Sequence, residues 1–380
     1  MKKVLQLKSY IVVGAGILGA STAYHLAKTG AHVTIVDRGE PGQATGAAAG
    51  IICPWMTRRR NKAWYQLVKK GAAFYPKLIE ELKALGETET GYANVGAIRL
   101  HKDEKKLDQV LEIALKRKVD APEMGEVRKL SPAETKALFP PLHPEYGSIH
   151  ISGGAHVNGS VLCSSLIQAA KAHGAKIIHG NVNLIEEGQR IKGVTIQGEK
   201  WYGDKVIVTG GAWAKELLKP LRLDFSLRPQ KAQIIHLDLP GAETGDWPVV
   251  IPPGNHYLLS FEGGRLVAGA THEDHAGFDP RVTVGGVNDI LEKLLETAPG
   301  LSESTFVETR VGFRPITPDS VPVMGEWPPY EGLLIANGLG ASGLTAGPYL
   351  GSQLANLALE KELEVNLGDY ALSKAIQVME

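Results

Sequence analysis

The chain has 380 residues, long enough for two lobes around a substantial core, and its 41 Lys and Arg balance 41 Asp and Glu. A net charge of zero leaves no global field to attract nucleic acid or an anionic membrane, and the basic run Arg58-Arg59-Arg60 is too short to change that. Only Cys53 and Cys163 are present, too few for a disulfide framework or a cysteine metal cluster, so no metal is expected and a reducing cytoplasm is the expected setting.

Lys2-Lys3 followed by the apolar stretch from Tyr10 to Leu26 has the outline of a secretory leader. The same residues read better as a strand, a tight turn and a helix. Tyr10-Ile11-Val12-Val13 predicts the strand, Gly14-Ala15-Gly16-Ile17-Leu18-Gly19 the turn and helix start, and Gly30 the helix end. His32 to Val36 predicts a second strand that stops on Asp37. In such a unit Gly14 permits the turn, Gly16 lets the backbone approach a pyrophosphate, and Gly19 lets helix and strand pack closely. Free N–H groups at the helix start attract the phosphate charge, and Asp37 is placed to accept hydrogen bonds from a ribose. The unit binds a dinucleotide, and by itself it does not separate NAD from FAD. No other segment approaches the roughly 18 apolar residues that span a bilayer, so no membrane span is expected.

From Gly42 to Ile52, seven of eleven residues are Gly or Ala, which lets a flat ligand approach the backbone. Helical spacing predicts a helix from Lys62 to Leu85 and another from Asp103 to Lys118. Ser131-Pro132-Ala133-Glu134 combines an N-cap, a first-turn proline and a capping-box glutamate. Asn158 to His173 reads as a helix closed by Gly174. Strand-like segments follow at Lys176–Ile178, Val182–Glu186, Ile191–Gln197 and Trp201–Thr209, the last running into Gly210-Gly211-Ala212-Trp213. A meander that returns to a glycine turn is unlike the regular strand–helix repeat of a simple NAD fold, and it favours FAD.

Between Leu221 and Val311 the pattern is β-rich, with strands expected at Gln233–Leu237, His256–Phe261 and Arg265–Ala270, forming a second wall for a substrate cavity. Arg310 to Asp319 ends in a proline-rich turn. The strand Gly332–Ala336 then leads into a second glycine-rich helix start, Asn337 to Thr345, whose positive end suits an electron-rich ligand edge.

Four blocks, Val13–Asp37, Gly42–Ile52, Lys205–Trp213 and Gly312–Thr345, together resemble the D-amino acid oxidase family of FAD-dependent oxidoreductases, which includes glycine oxidase, sarcosine oxidase and D-amino acid dehydrogenase. The resemblance implies an α/β chain: a glutathione-reductase-like FAD-binding Rossmann domain interleaved with a mixed-sheet substrate domain. The FAD domain is expected to comprise residues 1–85, 140–222 and 312–380, and the substrate domain 86–139 and 223–311. By the same resemblance Gly14, Gly16, Ile17, Leu18 and Gly19 would meet the pyrophosphate, Asp37 and Arg38 the adenosine, and Ala44 and Thr45 would continue the phosphate cradle. Ala48, Ala49, Gly50 and Ile51 would lie along the isoalloxazine, Val182 would contact adenine, and Gly210, Gly211 and Trp213 would complete that side. Gly340, Ala341, Ser342, Gly343, Leu344 and Thr345 would face the pyrimidine edge of the flavin.

Arg314 resembles the arginine that holds the substrate carboxylate in this family; its planar fork can make two charge-assisted bonds. The plainer alternative is a structural arginine paired with Asp319. Tyr257 matches a tyrosine that assists carboxylate binding, the alternative being a core tyrosine, and His256 and His272 could line the cavity without a catalytic role. The sequence departs from sarcosine oxidases in having Gly312-Phe313-Arg314 where they carry a flavin-linking cysteine, so non-covalent FAD is expected. With Ala341 and Ser342 in the last glycine turn, a second carboxylate anchor would have to come from elsewhere.

The expected reaction is oxidation of a small amino acid or secondary amine, by hydride transfer from Cα to flavin N5, to an imine that hydrolyses to an oxo acid. Either oxygen or an electron carrier would accept the electrons. Three alternatives remain open: an FAD-dependent 2-hydroxy acid or polyol phosphate dehydrogenase, a non-catalytic FAD subunit of a multi-subunit amine dehydrogenase, and an NAD-linked dehydrogenase. The oligomeric state is not encoded in any pattern visible here.

Overall fold

The apolar run Ser9–Val13 forms a central strand of a six-stranded sheet in the computed structural model, which describes residues 8–379. His32–Asp37 and Lys205–Val208 flank it in parallel, Lys176–His179 and Leu333–Asn337 lie beyond them, and Val323–Glu326 closes one edge antiparallel. Both faces of this sheet are covered, which is why its strands read as continuous apolar runs. The helix Ile17–Ala27 packs on one face between the helices Gly159–Ala172 and Gly343–Ala358. Tyr10 to Leu26 is thus strand and helix, as expected, while Lys2 and Lys3 of the leader-like outline lie outside the described residues.

The second sheet has eight strands, in the order Thr305–Ile316, Arg228–Asp238, Arg265–Gly269, Tyr257–Ser260, Val249–Ile251, Ala97–His101, Gly147–Ile151 and Val127–Leu130. Side chains alternate across it. Ile98, Leu100, Ile235, Leu237, Leu258 and Leu266 join one apolar cluster on one face, to which the helix Val284–Thr297 contributes Ile290 and Leu294. The opposite face, carrying Ala232, Ile251 and Tyr257, looks toward the nucleotide lobe. Gly147–Ile151 belongs to this sheet although it lies within residues 140–222, the stretch expected to serve the FAD lobe.

The anticipated helices appear with their caps. Asn61 accepts from the Trp64 N–H at the start of Lys62–Ala84, Asp103 from Lys105 before Glu104–Lys118, and Asn158 from Val161 before Gly159–Ala172. The Ser131–Glu134 capping box forms both of its bonds.

Three segments differ from the sequence reading. Trp201–Thr209 is two strands in two sheets: Glu199–Tyr202 joins the antiparallel meander, and Lys205–Val208 joins the parallel sheet. Between them the Asp204 carboxylate accepts from the Ser9 N–H and hydroxyl at 2.7 and 2.9 Å, which steers the chain into the place beside the first strand. The β-rich stretch contains the helix Val284–Thr297, disguised by Gly285-Gly286 in its first turn and started by Thr283 as N-cap. Gln233–Leu237 is the middle of a longer strand whose partner, Thr305–Ile316, continues through the residues read as a turn approach. Pro229 and Pro315 face each other in that pairing and hide it from a pattern search.

Candidate active site

The strands Ser9–Val13 and His32–Asp37 end at a cavity of about 870 Å³ enclosed between the two lobes. Ligands of open parallel sheets bind at these carboxyl ends. Of the site residues chosen from the sequence, all line the cavity except Gly19 and Ser342.

At one end the chain turns at Gly14, whose φ of +104° and 2.6 Å approach of a notional Cβ to the Thr209 carbonyl exclude any side chain. A Cβ on Gly19 would fall 1.8 Å from the Gly14 carbonyl, so Gly19 packs the helix onto the turn from behind the cavity wall. Gly16 caps the helix Ile17–Ala27 without a side-chain bond; instead the Ile17 N–H donates to Thr45 Oγ1 at 3.0 Å, which ties the Gly/Ala-rich segment to the helix start. The Asp37 carboxylate accepts from the Ala15 and Gly39 N–H groups, both at 2.6 Å, and from the Gln43 amide at 2.8 Å. A carboxylate has about four acceptor sites, so lone-pair capacity remains for a ribose hydroxyl. Beside it Arg38 pairs with Glu40 and Glu216 and lies over the Trp213 ring.

The cavity's other end is built by the second glycine-rich helix start. The helix Gly343–Ala358 also begins without a side-chain cap. Its Thr345 hydroxyl donates to the Ile51 carbonyl at 2.9 Å, and Tyr75 donates to the Leu344 carbonyl at 2.6 Å. Ser342 turns outward and accepts from the Trp64 indole N–H at 2.9 Å, which is why it leaves the wall. Ala44, Ala47, Ala48 and Ala49 form a wall of small side chains between the two ends.

Arg314, on the strand Thr305–Ile316, points into this end of the cavity beside Tyr257. Its guanidinium donates to Gln230 Oε1 at 3.1 Å, across the strand pair, and lies beside the Tyr257 phenol. Burial lowers the guanidinium from its ordinary value and raises the Tyr257 phenol, with Arg314 opposing the latter. The alternative pairing with Asp319 is not made; Asp319 is exposed beyond the turn. His256 lines the cavity while its Nε2 lies 3.0 Å from Thr297 Oγ1, and His272 sits at the rim; burial lowers both.

The sequence reading missed three supporting residues. Gln230 orients Arg314, Gln43 holds Asp37, and Gly269 gives Tyr257 its space, since a Cβ there would lie 2.8 Å from the phenol oxygen. Only the register of the eight-stranded sheet brings Gln230 and Gly269 to the site.

Two helix starts without side-chain caps, one at each end of a narrow wall of small residues, fit a long dinucleotide with an anionic middle and a flat electron-rich head. FAD has this form. The turn at Gly14, Gly16, Ile17 and Leu18 would hold its phosphates, and Ala48 to Ile51 with Gly340 to Thr345 its ring.

Comparison with known proteins agrees with this geometry. Residues 9–357 match the family described as FAD dependent oxidoreductase (DAO). The uncharacterized oxidoreductase YurR of Bacillus subtilis is 57% identical, over 96% of this chain and 98% of the relative. A glycine oxidase of Pseudomonas aeruginosa is 30% identical over 95% of this chain and 97% of its own length. The crystal structure of iminodiacetate oxidase (IdaA) from Chelativorans sp. BNC1 superposes with a TM-score of 0.93 at 47% identity, covering 95% of this chain and 98% of that one. The chain belongs to the DAO family of FAD-dependent oxidoreductases, and it is an enzyme that uses FAD.

Proposed function

We propose that the protein oxidises a small amino acid or secondary amine, of the glycine, sarcosine or D-amino acid type, at the carbon beside its carboxylate. The observation that carries this reading is the Arg314–Tyr257 pair, a half-buried cation with only neutral partners at the ring end of the cavity. Relatives named glycine oxidase and iminodiacetate oxidase support the same reading.

Arg314 and Tyr257 bind the carboxylate through charge-assisted bonds, and two anchoring points fix the direction of the Cα–H bond as well as its position. Gln230 and Gly269 keep that pair in register. Bound FAD, held without a covalent link, supplies the acceptor for the hydrogen and electron pair leaving Cα. The amine enters neutral, its C–N bond becomes an imine as a proton is released, and water converts the imine to an oxo acid and a free amine. The chain's share of the acceleration is orientation in a water-poor cavity, so no nucleophile is required. We assign the cofactor to residues 1–85, 140–222 and 312–380 and the substrate to 86–139 and 223–311, with Gly147–Ile151 contributed to the substrate sheet. A cytoplasmic location suits Cys53 and Cys163, which are buried and unpaired.

Incubating the FAD-loaded enzyme with glycine, sarcosine and D-amino acids, then assaying the released amine and the oxo acid together, tests the reading. Stoichiometric release of both is expected. An oxo acid formed from a 2-hydroxy acid, with no amine released from any amino acid, would replace it with C–O oxidation.

A further inference from the structure

Within the apolar strand Ala97–His101 stands one arginine, Arg99. Its strand neighbours Ile98 and Leu100 are buried in the apolar cluster on one face of the sheet, so by alternation Arg99 points to the opposite face, the one that carries Ile251 and Tyr257 toward the cavity. The register is explicit. Arg99 pairs with Ile251, and one step from the Val250–Leu258 pair Ile251 lies opposite Tyr257, so Arg99, Ile251 and Tyr257 form one cross-strand row. Ile251 and Tyr257 are cavity wall; Arg99 is the next position outward.

The Arg99 guanidinium, partly buried, makes no hydrogen bond and no ion pair with any of the described residues; the ionisable groups near it are Arg58, the buried Cys53 thiol, His101 and the cavity-lining His256. A half-buried guanidinium with no carboxylate or carbonyl of the chain on it keeps all of its donors free for an anionic ligand. The cavity supplies no partner either. Its lining carboxylates, Asp37, Glu40 and Glu216, all lie at the adenosine end, where Asp37 is bound by backbone and Gln43 and the glutamates by Arg38. The other end has Arg314, His256 and His272 and no acidic lining residue.

We propose that Arg99 receives a second carboxylate of the substrate, so that the preferred substrate is a secondary amine bearing two carboxylates, one held by Arg314 with Tyr257 and the other by Arg99. This rests on the reaction proposed above and adds its substrate class. Two strand spacings separate the Arg99 and Tyr257 backbones by about 10 Å. An N-carboxymethyl amino acid, with carboxyl carbons about 5 Å apart when extended, fills that span with one charge-assisted bond at each end. Sarcosine, with a methyl group in place of the second carboxylate arm, would leave Arg99 unmet.

The test compares iminodiacetate with sarcosine as substrates of the FAD-loaded holoenzyme. In parallel, thiodiacetate and (methylthio)acetate, which lack the oxidisable amine, are titrated as ligands read by the shift of the flavin's visible band. The wild type should favour both diacids. In Arg99→Gln the kcat/KM ratio of iminodiacetate over sarcosine and the affinity ratio of thiodiacetate over (methylthio)acetate should each fall by about 10- to 100-fold, the worth of bonds to a charged group. Arg99→Lys, which keeps the charge and loses the fork, should lie between and also serves if Arg99→Gln does not fold. Equal losses for monoacid and diacid, or no loss, would overturn the assignment. If neither amine reduces the flavin while thiodiacetate binding still depends on Arg99, the anion site stands and the proposed reaction falls.

Discussion

Arg314 meets only neutral groups of the chain, the Gln230 amide and the Tyr257 phenol, so a substrate carboxylate has no internal competitor for it. Arg314→Met should therefore raise KM for a monocarboxylic amine on the order of 100-fold, the worth of a two-pronged bond to a charged group, while FAD stays bound. Unchanged KM in steady-state kinetics would remove Arg314 from substrate capture. His156 shows the opposite use of burial. It is 3% exposed, neither ring nitrogen has a hydrogen-bond partner, and it packs on Phe261. Desolvation pushes it from its ordinary 6.5 down to about 4. The unfolded chain then takes up this proton first, so the stability contributed by the neutral ring is intact above pH 6.5 and is lost as pH falls toward 4. The loss approaches about 3 kcal/mol. His156→Phe should flatten that part of a denaturation series run from pH 7 to pH 4.5; an unchanged slope would mean that the ring is not what destabilises the protein in acid. His25, lowered in the same direction by its own burial, leaves a residual slope.

Among the elements, the helix Ile17–Ala27 depends on a hydroxyl from outside itself. Thr45 caps Ile17 and at the same time holds the Gly/Ala-rich wall against the helix start. Thr45→Val should cost about 1 kcal/mol of stability, as for loss of a helix cap, and weaken FAD retention on a desalting column more than it changes KM. Retention equal to wild type would show that the wall is held by packing alone. This element was fully legible in the sequence, because Gly14 and Gly19 answer local demands that no side chain meets, and Asp37 holds the Ala15 and Gly39 N–H groups of the turn. The helix Val284–Thr297 was not legible: Gly285 and Gly286 lower its propensity, and tertiary packing of Ile290 and Leu294 against the sheet makes it. Thr305–Ile316 was hidden for a related reason, since Pro315 marks a turn in sequence but sits opposite Pro229 in a strand pair.

On the scale of the whole molecule, the two sheets divide the labour. The parallel sheet brings its carboxyl ends and two helix starts to the cavity, and the eight-stranded sheet covers the far end. Lys231, 0% exposed, anchors a loop of that sheet through Glu273 and Asp279 at 3.4 and 3.6 Å. The cofactor half of the site could be read from sequence because its residues lie in compact blocks, while the substrate half is assembled by register from strands far apart in the chain. Arg314 and Tyr257 were found through the family resemblance, and Gln230, Gly269 and Arg99 only through strand pairing. Among the described residues no helix is long and apolar enough to cross a membrane, so the cavity opens on a chain without a helical span.

The measurement that bears most directly on the account is an anaerobic absorbance titration of the FAD-loaded protein with glycine, sarcosine, D-alanine, D-proline and iminodiacetate, following the flavin's visible band. The account predicts that at least one of these amines bleaches the band, and that Arg314→Met shifts the titration to higher concentration. A protein that binds FAD, stays yellow with every amine and is bleached by a 2-hydroxy acid would contradict it.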